Sequence, residues 1–390
     1  MPALAERMAR LGTEGAFEVL ARARALEAQG RRVVHLEIGE PDFPTAPHII
    51  EGAAAALEAG HTHYGPSAGL PQARAALARE VARTRGIPVD PQQVVVTPGA
   101  KPVLFFTILA TVDEGDEVLL PDPGFPIYES VVRYIGAVPV PVPLSQDRDF
   151  RFDPDDLRRR VTARTRLIIL NSPHNPTGGV LAPEDLAAVA EVAVARDLWV
   201  LSDEIYSRLL YRGEHHSVAA LPGMAERTVI LDGFSKTYAM TGWRLGYGVA
   251  PPALVPALTR LQTNVTSCTA GFVQLAGVAA LEGPQDGVTA MLEEFRRRRA
   301  LVVEGLNAIP GVRCLAPGGA FYAFPRVDVP GLSSKEVADS LLTEEGVALL
   351  PGTAFGAQGE GFLRLSFANS QSELREGIDR LKRGLERLRR

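Results

Sequence analysis

Residues 232–247 read DGFSKTYAMTGWRLGY. The stretch follows an apolar run, Val229-Ile230-Leu231, and sets Lys236 and Arg244 eight positions apart among Phe234, Tyr238, Trp243 and three glycines. A short apolar run that ends in Asp-Gly and then offers polar side chains suits a buried parallel strand opening into a ligand-facing loop. The pattern recurs upstream. The runs Val94-Val95-Val96, Val118-Leu119-Leu120, Leu167-Ile168-Ile169-Leu170 and Leu198-Trp199-Val200-Leu201 lead into TPGAK, PDPGF, NSPHNPTGG and SDEIY. Helical stretches separate them. The centre of the chain is therefore predicted to be a layered α/β domain with a mostly parallel sheet. Five strand ends would bring polar and aromatic groups to one sheet edge.

From about residue 286 the pattern turns helical (MLEEFRRRRALVVEGLNAI). It then gives short strands around FYAFPRV, VALLPG and FLRLSFA, and a last helix from about Ser372. This predicts a smaller α+β domain, formed by 1–47 and 286–390, beside a large domain of 48–285. In the first segment, FEVLARARALEAQ is helical by period and ends at Gly30, and VVHLEIG reads as a short strand.

With 46% hydrophobic and 22% charged residues in 390, the chain has the balance of a soluble protein with a large core. A net charge of -5 gives no reason to expect a nucleic-acid partner. The run Arg296-Arg297-Arg298-Arg299 reads as a solvated helix face following Glu293 and Glu294. Cys268 and Cys314 lack Cys-x-x-Cys spacing, so neither a disulfide framework nor a zinc site is expected. His215 and His216, in the polar RGEHHS, read as surface groups, and no metal is expected. The N-terminal stretch lacks signal-peptide character and no apolar run spans a membrane, so a cytoplasmic location is expected.

The strand ends carry the chemistry. Asp203 ends a buried run, where an unpaired carboxylate is costly to desolvate. It suits either a helix N-cap or a cationic ligand group, and Tyr206 falls on its side if a helix starts there. Lys236, between Phe234 and Tyr238, is either an ordinary exposed lysine or a desolvated amine able to attack a carbonyl. Ser235 and Arg244 suit a phosphate, and Gly99-Ala100-Lys101 offers backbone N–H groups at a helix start. A phosphate, an aldehyde, a ring cation and a flat face together describe pyridoxal phosphate.

Six motifs carry a resemblance across nearly the whole chain: IGEPDF (38–43), HYGPSAGLPQAR (63–74), NSPHNPTGG (171–179), SDEIY (202–206), SKTYAMTGWRLGY (235–247) and FLRLSFA (362–368). In this order and spacing the chain resembles the class I aminotransferases of the fold-type I pyridoxal-phosphate superfamily. It looks most similar to the branch with many prokaryotic aspartate aminotransferases. The resemblance implies a Lys236 aldimine, with Lys236 shuttling the proton, and Asp203 pairing with the ring nitrogen. Tyr206 and Asn175 would bond the phenolic oxygen, and Phe125 would stack on the ring. Gly99, Ala100, Lys101, Ser235 and Arg244 would surround the phosphate, with Tyr64 reaching it from the partner subunit of a homodimer. Arg364 would grip the substrate carboxylate near Gly39 and Asn175. In this family the strand carrying Arg244 runs antiparallel to its neighbours, which would put its start at the same sheet edge.

The resemblance implies ping-pong transfer from an L-amino acid to 2-oxoglutarate, with aspartate as first donor. Lys101 stands where some aspartate-using relatives have a lysine thought to attract the side-chain carboxylate; it also suits a phosphate-side or surface lysine. Phe17 and the Phe105-Phe106 pair point instead to apolar side chains, leaving alanine, aromatic or broad-range donors as an alternative. A carbon–sulfur β-lyase shares the scaffold. A binding or regulatory protein of this fold would carry an added DNA-binding segment, for which the chain has no spare length. His174, inside the asparagine motif, is expected to line the site without a chemical role.

Overall fold

The computed structural model describes residues 2–390. Its strands, in chain order, are β1 (Val34–His35), β2 (Val94–Thr97), β3 (Glu117–Asp122), β4 (Val138–Ser145), β5 (Arg151–Phe152), β6 (Thr165–Asn171), β7 (Trp199–Asp203), β8 (Thr228–Gly233), β9 (Gly246–Val249), β10 (Val312–Arg313), β11 (Tyr322–Ala323), β12 (Arg326–Val327), β13 (Val347–Ala348), β14 (Leu350–Pro351) and β15 (Leu363–Ser366). Eight form one sheet in the order β2-β9-β8-β7-β6-β3-β4-β5. From β8 to β4 neighbours run parallel. β9 runs antiparallel to both β2 and β8. The carboxyl ends of β2, β3, β6, β7 and β8 thus share one edge with the start of β9, just after Arg244.

Successive strand residues point to opposite faces, and both faces are covered. Leu167, Ile169, Leu201 and Leu231 enter one core cluster, against the helix Lys101–Thr111. Ile168, Leu170 and Val200 enter another, with Leu186, Val189 and Ala193 of the helix Pro183–Ala195. That double burial explains the unbroken apolar runs. β4 and β5 escaped the sequence reading. β4 is VPVPVPLS, half-exposed along much of its length and covered on its outer side only by the two-residue β5. Proline lacks the N–H a central strand needs, so such a sequence is tolerated near an edge.

Around this α/β core lies the smaller α+β part. β15 pairs antiparallel with β11 and β14. β1 pairs with β13, tying the early chain to the late chain. Two expectations need correction here. Arg298 lies inside: it is 5% exposed, bonds Asp42 at 2.6 and 3.0 Å, and stacks 4.9 Å from the Phe43 ring. Only its neighbours Arg296 and Arg297 lie on the outer face, pairing with Glu293 and Glu294. The chain after β7 forms turns at 205–208 rather than a helix.

His215 is also corrected. Its side chain is 8% exposed and its Nε2 lies 2.9 Å from Glu204, whereas His216 is exposed. Glu204 belongs to a buried charge cluster behind β7 and β8, in which Arg85 donates to Glu204 at 2.8 Å, Ser207 at 2.8 Å and Asp232 at 2.5 Å. The nearby positive charges and hydrogen bonds overcome burial and hold Glu204 down to about 2. Arg85→Ala would leave two carboxylates buried without their cation. A loss of about 3–5 kcal/mol is expected, read as a lower urea midpoint of unfolding; an unchanged midpoint would contradict the cluster's structural role.

Candidate active site

The five strand ends open on one cavity of about 550 Å³. Each contributes to its wall: Ala100 and Lys101 after β2, Phe125 after β3, Asn171 and Asn175 from β6, Asp203 and Tyr206 from β7, Ser235 and Lys236 after β8. Arg244 closes the same edge, and Gly39, Phe17 and Arg364 enter from the other side. Of the sequence-predicted residues, Gly99 packs behind Arg244, and Tyr64 is 90% exposed and outside the wall. Phe105 and Phe106 belong to the core instead of the cavity. His174 faces a separate small apolar pocket with Leu119 and Phe150 and bonds Thr177 at 2.8 Å. Burial pushes its imidazole down to about 3, so it stays neutral.

Lys236 is desolvated. Its Nζ donates to the Gly39 carbonyl at 2.7 Å and lies 5.8 Å from the Phe321 ring. Burial is the largest influence and lowers its ammonium to about 8, partly opposed by Glu40 and Glu14. A neutral amine is the nucleophile. Covalent uptake of an aldehyde by the cofactor-free protein is therefore expected to rise about tenfold per pH unit up to about pH 8 and level off above it. Stopped-flow absorbance with pyridoxal phosphate reads this; a rise continuing past pH 10 would show an unperturbed lysine.

Asp203 is the complementary group. Its Oδ2 accepts from the Tyr128 hydroxyl at 2.6 Å, and its Oδ1 from the Ile205 N–H at 3.2 Å. Burial raises it to about 7, against the lowering effect of the Tyr128 bond. A carboxylate so placed is stabilised by a cation arriving from the cavity. Asn171 fastens the neighbouring loop: its amide donates to the Asp203 carbonyl at 3.1 Å and its oxygen accepts from Asn175 N–H at 2.9 Å.

Arg364, on β15, is buried and meets no carboxylate among the described residues. Its nitrogens donate to Asn175 Oδ1 at 3.2 Å and to the Glu37 carbonyl, while Nε has no partner. Tyr322 and Phe355 flank the guanidinium at 4.6 and 4.9 Å. Tyr322 also meets the Tyr206 hydroxyl at 2.8 Å. A Cβ on Gly39 would overlap the Tyr322 ring, so the small residue keeps that aromatic wall in place.

The third feature is an anion cradle. The helix Lys101–Thr111 starts at the cavity, with Pro102 in its first turn, and its first N–H groups have no intrahelical acceptor. Gly99 has φ +85° and leaves no room for a Cβ beside the Arg244 guanidinium. Arg244 itself has φ +55°, a costly backbone for a side-chain residue and one found at functional sites. It donates to the Thr241 carbonyl at 2.8 Å. Gly246 lets this helix start lie against β9, where a Cβ would strike Gly99 and Ala100.

Sequence reasoning missed Tyr128, Asn171, Tyr322 and Glu14, which lines the cavity and pairs with Lys101. Asn171 is the first residue of the NSPHNPTGG motif. Tyr128 follows Phe125 by three positions at a helix start, a spacing that was readable.

An amine able to bond an aldehyde, a desolvated carboxylate awaiting a ring cation and a cradle for a phosphate fit pyridoxal phosphate, and they fit it together. The class is that of fold-type I pyridoxal-phosphate enzymes. Comparison with known proteins gives the family: the description "Aminotransferase class I and II" matches residues 31–381, and the chain belongs to it. It is 43% identical to an aspartate aminotransferase of Pyrococcus abyssi, over 90% of this chain and 92% of that one. It is 40% identical to aromatic-amino-acid aminotransferase 2 of Thermococcus litoralis, over 98% of each. The fold is similar to that of an aspartate aminotransferase from Thermus thermophilus solved with maleate, with a TM-score of 0.94, 39% identity, and coverage of 98% and 100%. The protein is a pyridoxal-phosphate-dependent aminotransferase. Among the described residues no helix is long and apolar enough to cross a membrane.

Proposed function

We propose that the enzyme moves the amino group of an L-amino acid, aspartate first, to 2-oxoglutarate by ping-pong kinetics. The observation that carries the reading is Arg364, a buried guanidinium with no carboxylate of its own and a free Nε. A substrate carboxylate supplies the missing charge and acceptors. For aspartate in particular, Lys101 is a second cation on the cavity wall. Relatives named for aspartate, and a neighbour solved with the dicarboxylate maleate, support the choice.

When bound, pyridoxal phosphate supplies an aldehyde for amines and a ring that accepts the electron pair left at Cα. The chain's residues then divide the remaining work. Arg364, with Asn175 and the Gly39 backbone, orients the substrate carboxylate. Asp203, steadied by Tyr128, would keep the ring nitrogen protonated. Tyr206 and Asn175 would bond its phenolic oxygen, and Phe125 would face its ring. The backbone N–H groups of the Gly99-Ala100-Lys101 helix start, with Ser235 and Arg244, would hold the phosphate. Lys236 would serve as the general base, taking the proton from the substrate Cα and handing it back in the second half of the transfer.

The second reading, alanine or aromatic donors, is favoured by Phe17, Phe125 and Phe355 on the cavity wall. A β-lyase differs in outcome, because elimination needs no oxo-acid acceptor. Assays of aspartate, alanine, phenylalanine and cystathionine with 2-oxoglutarate separate these readings. Highest kcat/KM with aspartate is expected; no glutamate from any donor would sink the reading. Two further parts belong to this proposal. Residues 48–285 form the large unit, which contains the eight-stranded sheet. The unit of function is a homodimer in which the exposed Tyr64 reaches the partner's phosphate site. Sedimentation at assay concentration tests this, and an active monomer would contradict it.

A further inference from the structure

Glu14 is a charged group on the cavity wall that the chemistry above leaves unused. It stands at the N-cap of the helix Gly15–Glu27, yet its side chain makes no cap bond. The carboxylate instead reaches Lys101, 87 positions away. The Glu14 side chain is 19% exposed, against 50% for Lys101, so the anion is the more enclosed partner. It lines the same cavity as Lys236, Tyr322 and Arg364, which stand on three separate segments. Of the other carboxylates on that wall, Glu40 is engaged by the Thr241 hydroxyl, and Asp203 by the Tyr128 hydroxyl and the Ile205 N–H.

A dicarboxylic substrate bound at Arg364 brings its second carboxylate to a lysine that already has a counter-ion. It must displace Glu14 or sit beside it, and like charges around one cation repel. A neutral side chain makes no demand on Lys101 and leaves the pair intact. We propose that Glu14 determines specificity, as an internal carboxylate that competes with the side-chain carboxylate of the substrate for Lys101 and so narrows the preference for acidic over neutral amino acids. This rests on the reading of Arg364 and Lys101 given under the proposed function.

The test uses holoenzyme, wild type and Glu14→Gln, titrated calorimetrically with succinate, 3-phenylpropionate and 4-guanidinobutyrate. Succinate affinity relative to 3-phenylpropionate should rise by about fivefold in Glu14→Gln, the size expected from removing one partly exposed ion-pair partner. The ratio of kcat/KM for aspartate over phenylalanine should move the same way. An unchanged ratio overturns the proposal, and so does weaker succinate binding, which would mean that Glu14 merely orients Lys101. Loss of 4-guanidinobutyrate binding without a gain for succinate also overturns it, in favour of a site for cationic side chains. Binding of 3-phenylpropionate confirms that the variant is folded. If wild-type enzyme takes no amino group from aspartate, the donor assignment fails on its own, and the succinate ratio still decides the role of Glu14.

Discussion

Lys236→Ala is expected to lower turnover by at least roughly 10⁴-fold, the upper range for loss of one positioned general base. The loss should fall on kcat. The variant should also fail to give a covalent cofactor adduct on borohydride reduction, because among the described residues its cavity offers no other amine so enclosed. Lys101 is half exposed and paired with Glu14, so it is a poor substitute. The two readouts separate the two duties of Lys236. A variant that keeps full turnover would refute the role outright. One that keeps a reducible adduct would place the attachment elsewhere.

The second large effect is expected at Arg364. Arg364→Ala removes the buried partner of the substrate carboxylate, at a cost of about 2–5 kcal/mol, a factor of roughly 30 to 5,000 in kcat/KM. Most of it should fall on KM, since the carboxylate is held before and during the reaction alike. Arg364→Lys keeps the charge but not the planar fork between Tyr322 and Phe355. Partial recovery is expected there. Unchanged KM for every amino acid tried would show that the guanidinium binds no substrate. Circular dichroism matching wild type separates this from misfolding.

What the sequence made legible follows from what is local. β2, β3, β6, β7 and β8 were readable because strands buried on both faces must be apolar throughout. Their ends were readable because Gly, Pro, Asn and Asp break such runs abruptly. β4 was not, since its alternating prolines mimic a loop. The groups that complete the site come from far apart in the chain: Tyr128 lies 75 positions from Asp203, Glu14 87 from Lys101, and Tyr322 116 from Tyr206. Only packing brings them together. Arg298 shows a signal that was present and outweighed. Phe295 and Val302, three before and four after it, are buried on one helix stripe, and Arg298 shares that stripe. The run of four arginines hid the period. His215 shows the reverse limit, because a polar loop gives no sign that one ring turns back onto a buried Glu204.

The central claim is that amino groups pass through this cavity and wait on the enzyme for a second oxo acid. The most direct measurement is the half-reaction: holoenzyme mixed with L-aspartate alone, with oxo acid counted per subunit. One equivalent of oxaloacetate should appear and release should then stop. Adding 2-oxoglutarate should restart it, with glutamate formed in equal amount. Release that continues past one equivalent without an acceptor, or ammonia in place of glutamate, would contradict transamination.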